Sequence, residues 1–363
     1  MIKHSNRGVK ALAMTGLIGA STMFGCASAS KTQPQAQGVQ DQSAGTITAA
    51  EARGVAIARV QDGKASKATW AELVKAAAES DFVLLGENHG HELGLASAAA
   101  LWEDILAARG ESTAHEGTAK PQPRPTLAME FFERDQQKAI DDYFAGLIDE
   151  ATFRKESGRG AAQSGNYPRG HRDMVEAAKN HGARLIAANA PRRYVRLART
   201  DGYERLRGLS EEQRRLFRLP DVMPMNAYWD RFAAVMGGLG DAKEGATPAE
   251  VEALGKKRSS LEATFRSQVM WDWTMAQSVA DARHTSSGIS KPVLLVVGRF
   301  HTDETGGTVQ ALRRLAPMTN TGQAKILVVS FVDGEAPADA PAAKADLSRA
   351  DFVVYVGEAG NRE

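Results

Sequence analysis

Seven short apolar runs, each succeeded at once by polar side chains, constrain this chain more than any other feature. The runs at 55–60, 82–86, 126–130, 184–188, 292–298, 325–332 and 352–356 are mostly continuous rather than alternating, as expected of strands buried on both faces of a sheet. Between them lie stretches of helical periodicity at 70–78, 94–109, 134–146, 169–181 and 308–315. Alternation of this kind predicts an α/β fold, with a mostly parallel or mixed sheet flanked by helices. From Arg192 to Lys291 no convincing strand appears. There, 210–217 opens with the capping-box pattern Ser-Glu-Glu-Gln, and 258–284 is a long amphipathic candidate. The expectation is a helical cap inserted into the α/β core at about 195–285. Two segments, 110–125 with its three prolines and 237–257 with its glycines, read as surface loops.

Composition narrows the class. With 363 residues, 43% hydrophobic and 25% charged, the chain excludes collagen-like, coiled-coil and fully disordered architectures. Lys and Arg number 45 against 44 Asp and Glu, and no basic stripe is present to neutralise phosphates, so nucleic acid is not an expected partner. The single cysteine, Cys26, excludes an intramolecular disulfide and any zinc site of paired thiolates.

The position of Cys26 is more informative than its count. Lys3, Arg7 and Lys10 form a charged start, ALAMTGLIGA at 11–20 is an apolar run too short to span a bilayer, and Gly25 precedes the cysteine. This resembles a bacterial lipoprotein signal peptide over residues 1–25, with Met23 where Leu is usual. The resemblance implies that Cys26 is acylated and becomes the mature N-terminus; an ordinary secretory signal cut near Ala27 or Ala29 is the alternative. Cleavage removes three positive charges and no acid, taking the formal charge from +1 to −2. Ala27, rather than Asp, after the cysteine favours the outer membrane by the bacterial sorting rule. Residues 26–46 then read as a polar, flexible tether, and the folded domain as 47–358.

The polar segments at the strand ends point to function. Gly86-Glu87-Asn88-His89-Gly90-His91-Glu92 succeeds one run, Glu130-Phe131-Phe132-Glu133 another, Asn189-Ala190-Pro191-Arg192-Arg193 a third and Gly298-Arg299-Phe300-His301 a fourth. In parallel α/β sheets the ligand crevice lies beyond the carboxyl ends of the strands. Four segments therefore deliver Glu, His, Asn and Arg to one edge. Singly, Glu87 also reads as a helix N-terminal acid and His89 as a solvated loop residue. Together with Glu130 and His301 they read as a site, because carboxylates after buried strands are costly unless solvated, paired or used. His4 and His115 read as incidental, and His181 and His284 as helix-end residues.

The motifs Gly86-Glu87-Asn88-His89, Ala128-Met129-Glu130-Phe131, Ala187-Ala188-Asn189-Ala190-Pro191-Arg192, Gln268-Val269-Met270-Trp271-Asp272 and Gly298-Arg299-Phe300-His301 stand in this order, with Ala350-Asp351-Phe352-Val353 at the close. Their order and spacing resemble the ChaN-like haem-binding lipoproteins, over roughly residues 50–358. That family sits in a wider group with erythromycin-esterase-like hydrolases and Tiki-type metalloproteases.

The resemblance implies two functional classes. For haem, a site needs an axial donor, cations for the propionates and apolar cover. The family's axial tyrosine aligns with His171, leaving histidine where tyrosine is usual and Tyr167 as the nearby substitute. Asn189, Arg192, Arg193, Gln268, Trp271 and Asp272 complete the expected haem-binding set, the two arginines facing the propionates. Phe131, Phe132, Met223, Met225, Tyr228, Trp229, Met270 and Trp271 are candidates to cover the ring, or ordinary helix packing. The expected partners are haem, the outer membrane through lipidated Cys26, and a haem receptor or a second copy of the chain. For hydrolysis, Glu87, His89, Glu130 and His301 form a one-metal set for a divalent cation, or a metal-free acid/base set. The chain has neither a Gly-x-Ser-x-Gly elbow nor a His-Glu-x-x-His helix. A tethered scaffold for another envelope protein is a third reading.

Overall fold

The computed structural model describes residues 47–114, 124–159, 167–240, 246–286, 288–316 and 323–358. The signal, the tether, Cys26, His4 and His115 lie outside the described residues.

One eight-stranded sheet organises the described chain. Its strands are β1 (Ala56–Gln61), β2 (Lys64–Ala68), β3 (Phe82–Glu87), β4 (Thr126–Glu133), β5 (Arg184–Asn189), β8 (Val293–Gly298), β9 (Ile326–Val332) and β10 (Phe352–Tyr355), while β6 (His284–Thr285) and β7 (Gly288–Ile289) form a separate small hairpin. The order across the sheet is β2-β1-β10-β9-β3-β8-β4-β5. The strands from β10 to β5 run parallel, and β1 and β2 add an antiparallel edge. All seven apolar runs are strands of this sheet. β2, of sequence KASKA, was not expected: it is an edge strand with no fully buried residue, so it carries no apolar run. It is set by the preceding Asp62-Gly63, both at positive φ, the dipeptide that suits a tight hairpin turn.

Two layers of helix cover the sheet. On one face, helices Trp70–Ala78, Glu92–Ala114, Gln137–Phe144 and Arg169–Asn180 bury Leu73, Trp102, Ile105, Ile140 and Met174 against Val83, Leu85, Leu127 and Leu294. On the other, Ala227–Val235, Pro248–Ala282 and Gly307–Leu315 bury Phe265, Trp273, Val279 and Leu312 against Leu84, Ala128, Leu295 and Val297.

The inserted region is helical, but two expectations within it need correction. Residues 237–257 are not one surface loop. A capping box between Thr247 and Glu250, with Pro248 in the first turn, starts a helix that runs 35 residues to Ala282. Nor is the whole insertion a cap: from about Val269 onward this helix packs on β5, β4 and β8 as part of the second covering layer. His284–Thr285 and Gly288–Ile289, in a stretch expected to lack strands, pair as β6 and β7. The remaining helices, Arg192–Thr200, Gly202–Arg207 and Glu211–Arg214, gather around Tyr194, Phe217 and Met270. Arg134, just after β4, ties this region to the sheet. Its guanidinium donates to Ser278 Oγ (3.0 Å), Thr274 O (2.8 Å), Gln277 Oε1 (3.2 Å) and Arg215 O (3.2 Å), and burial among these acceptors brings its pKa down to about 10.

The path of the chain opens a crevice. From β3 the chain passes through a helix on the first face to β4, beyond β8; from β8 it passes through a helix on the second face to β9, beyond β3. Connections leaving neighbouring strands in opposite directions separate the loops between their carboxyl ends. Glu87 and Gly298, paired in register, end these two strands.

Close helix packing on the first face yields a test. A Cβ at Gly170 would lie 2.6 Å from the carbonyl oxygen of Leu95. Ala is normally the better helix former, yet Gly170→Ala is expected to destabilise the protein, by about 1–3 kcal/mol as for other overpacked contacts. Thermal or urea unfolding checks the sign, and a stabilised variant would show that the two helices separate freely.

Candidate functional site

Two imidazole–carboxylate groups meet at this crevice. In the first, Glu87, which is 4% exposed at the end of β3, is hydrogen-bonded through Oε2 to His171 Nε2 (2.7 Å) and through Oε1 to His89 Nδ1 (3.0 Å). Burial opposes the charge on Glu87, but the charge and hydrogen bond of His171, and then those of His89, outweigh it and hold the carboxyl at about 2. His89 is raised to about 9, chiefly by its bond to Glu87, against partial burial and with help from the charge of Glu130.

The second group lies across the crevice. Asp272, fully buried on the long helix, accepts from Thr308 Oγ1 (2.7 Å) and Tyr228 Oη (2.8 Å) and is hydrogen-bonded to His301 Nδ1 (2.7 Å). Gln268 Nε2 donates to Tyr228 Oη (2.9 Å) and lies 3.2 and 3.3 Å from the two ring nitrogens of His301, over the imidazole face. Burial lowers the His301 pKa, and the charges of Asp272 and Glu130 more than reverse this, so the net shift is upward. Burial and the same aspartate push Tyr228 well above its ordinary value.

Glu130 joins the two halves. Its Oε2 accepts the Gly298 N–H (2.7 Å), and its Oε1 stands 3.7 Å from His301 Nε2. Two glycines make room. A Cβ at Gly298 would fall 2.7 Å from His89 Nε2, and one at Gly307 would fall 2.1 Å from Asp272 Oδ2. Asn88 links the loops by accepting from Arg299 Nε (2.6 Å), while its own Nδ2 is buried without a partner. His91 belongs to the scaffold: Nδ1 accepts the Gly94 N–H and Nε2 donates to Gly357 O (3.1 Å).

Glu87, His89, Glu130 and His301, all expected at strand ends, converge, and His171, Gln268 and Asp272 join them. The others lie apart from this network. Tyr167 stacks on Phe131 (ring centroids 5.7 Å apart) with its hydroxyl buried and unpartnered, and burial pushes that hydroxyl above its usual range. Asn189 Oδ1 accepts the Ala190 N–H at the end of β5. Arg192 is 3.5 Å from Glu133, and Arg193 pairs with Asp135. Trp271 bridges two core clusters with its Nε1 buried and unpartnered. Of the candidate ring-covering residues, Phe132, Tyr228, Trp229 and Met270 are core, Phe131, Met223 and Trp271 are half-buried, and Met225 is exposed.

The one-metal reading does not fit this geometry. Among the described residues no group of three His, Cys, Asp or Glu side chains is placed to hold a metal ion, and the carboxylates are engaged by imidazoles, hydroxyls or a backbone N–H. Sequence reasoning missed Thr308 and Gly307, and named Gly298 without the close approach it allows. The signal available was the glycine at each turn, Gly298 before Arg299-Phe300-His301 and Gly307 at the start of a helix.

Among the described residues no helix is long and apolar enough to cross a membrane. No curated protein matches the chain. Among solved structures, ChaN of Campylobacter jejuni, determined with cofacially bound haem, is 14% identical, with a TM-score of 0.56 over 82% of this chain and 96% of its own; it shows the same fold. An erythromycin esterase, EreC, in an open conformation is 10% identical with a TM-score of 0.41, covering 81% of this chain and 95% of its own. A Bacillus cereus protein is also 10% identical, with a TM-score of 0.42 over 85% and 96%. Residues 73–312, from the helix before β3 to the helix after β8, match the sequence family described as haem-binding uptake, Tiki superfamily, ChaN. The chain belongs to that family.

Proposed function

We propose that this protein is an outer-membrane lipoprotein that binds haem in iron acquisition. Family membership supports the ligand class. The observation that carries the reading to this site is His89, whose side chain is 66% exposed at the crevice while its Nδ1 is fixed on a buried carboxylate. A histidine held in this way by a second residue offers its other nitrogen to a metal with orientation and basicity already set. His171 is buried with its Nε2 on Glu87, and Tyr167 is closed behind Phe131, so His89 is the donor that an iron porphyrin would meet. Bound there, haem would supply an iron for His89 to ligate and an apolar face for the crevice to cover. Phe131, half-buried with its ring centroid 4.6 Å from that of His171, offers apolar cover.

A proton competes for the same nitrogen. With His89 held at about 9, haemin affinity read from the Soret band is expected to rise as pH increases toward 9 and to level off above it. Because the bond to Glu87 is the chief cause of the upward shift, Glu87→Gln should move the plateau to lower pH, and His89→Ala should alter the Soret band. A spectrum that stays that of free haemin across a large protein excess would remove the haem reading. Unchanged binding in His89→Ala would place the donor elsewhere.

A second reading, metal-free hydrolysis, is supported by the Asp272–His301 pair, which presents His301 Nε2 toward Glu130. An imidazole oriented by a buried aspartate beside a second carboxylate suits activation of water. If this is the chemistry, the protein cleaves esters without haem, and Glu130→Gln lowers the rate about 10²-fold or more. No ester or peptide turnover above buffer by the wild type would remove that reading.

Anchoring rests on the lipoprotein-like signal ending at Cys26. Cys26→Ser should lose label from a radioactive fatty acid and move from the membrane to the soluble fraction. An unlabelled variant that still pellets with the membrane would mean attachment by another route.

A further inference from the structure

We propose that the arginine-rich face of residues 192–218 docks on the anionic headgroups of a phospholipid surface. The inference rests on the anchor proposed at Cys26, which would keep the folded domain beside a membrane. Nine arginines and four acids fall in this stretch, a net charge of +5 in a chain whose formal charge is +1, so the rest of the chain carries −4. A charged surface orients a molecule polarised in this way. No run of consecutive cations marks the face in the sequence; helix spacing assembles it. On helix Arg192–Thr200, Tyr194, Val195 and Ala198 turn into a small core, while Arg192, Arg196 and Arg199, at intervals of four and three, are exposed. Arg266, from the long helix, adds its guanidinium at the end of that helix by donating to Ala198 O (3.0 Å) and Arg199 O (3.3 Å).

Much of this charge is uncommitted. Arg192 and Arg193 pair with Glu133 and Asp135, Arg207 with Glu204, Arg215 with Glu211 and Arg218 with Asp221. Among the described residues Arg196, Arg199, Arg205 and Arg214 are exposed and in no ion pair, against two exposed acids in the same condition, Asp201 and Glu212. Planar guanidinium forks suit phosphate oxygens. The same face offers little to other polyanions. Tyr194 and Phe217 are buried and Tyr203 is half-buried with its hydroxyl on Arg266 O (2.6 Å), so no aromatic platform is presented on which bases could stack. None of the exposed large apolar side chains among the described residues lies within 192–218, so the face lacks the apolar anchor on which a protein interface relies. A fluid array of lipid phosphates needs neither.

The full chain carrying Cys26→Ser, so that no acyl group holds it, tests this by sedimentation with vesicles of phosphatidylcholine alone and of phosphatidylcholine with about one-third phosphatidylglycerol. It is expected to bind the anionic vesicles at least about tenfold more tightly, and to lose that preference at about 0.5 M salt. Changing Arg196, Arg199, Arg205 and Arg214 together to Gln should bring the preference below about twofold, whereas changing all four to Lys, which keeps the charge, should retain most of it. Equal binding to the two kinds of vesicle, or binding to neither, would overturn the proposal and leave the anchor at Cys26 and the haem reading standing, since neither enters the measurement. A preference that survives in the glutamine variant would place it on other cations and also overturn the proposal. Tighter binding to polyglutamate or to a short DNA duplex than to the anionic vesicles would assign the face to another polyanion, with the same result. The vesicle comparison needs no arginine variant, so it decides the matter even if the glutamine variant fails to fold.

Discussion

A carboxylate removed from water at the end of a central strand is the constraint on which this site depends. Burying Glu87 alone would favour its neutral form and leave a strained strand end. Two imidazoles, one from the loop after β3 and one from a helix on the first face, make the charged form the stable one. That requirement fixes more than a pKa. It ties helix Arg169–Asn180 to the end of β3 through His171, with Gly170 permitting the close approach to Leu95, and it sets the ring of His89 over Gly298. Asp272 does the same on the second face, holding His301, Thr308 and Tyr228 around a carboxylate that has no exposed surface. The end of β3 therefore supplies one anionic centre and the long helix of the second face the other, and the crevice is where the two meet.

The sheet was largely legible in the sequence because buried parallel strands are short continuous apolar runs, and all seven runs proved to be strands. β2 was not, since an exposed edge strand has no reason to be apolar. The long helix was only half legible. Its first 13 residues are mainly exposed, so their pattern carries no apolar stripe, and the glycines before Thr247 suggested a loop. Its other half, buried from Leu261 onward, carries the apolar pattern by which 258–284 reads as an amphipathic helix.

The site divides along the same line. Strand-end residues such as Glu87, Glu130 and His301 were identifiable because topology alone sends them to one edge. The partnership of His171 with Glu87 was not, because it depends on how one helix is rotated against the sheet. The difference between Arg193, which finds Asp135, and Arg192, which shares Glu133, is likewise a matter of side-chain direction that no spacing in the sequence expresses.

The strand order has a consequence for how such a chain reaches its native state. β3 lies between β8 and β9, and its partner residues in β8 are about 210 positions later in the chain. The most apolar strand of the first half thus leaves the ribosome long before either neighbour exists, and its hydrogen-bonding edges stay open until nearly the whole sequence has been made. Pairings so distant form slowly and leave sticky surface exposed in the meantime. The centre of the sheet closes only when β8 and β9 have been made, and β10 then joins it to the β1–β2 edge. The hazard during synthesis therefore comes from strand order, which the ordinary composition does not reveal.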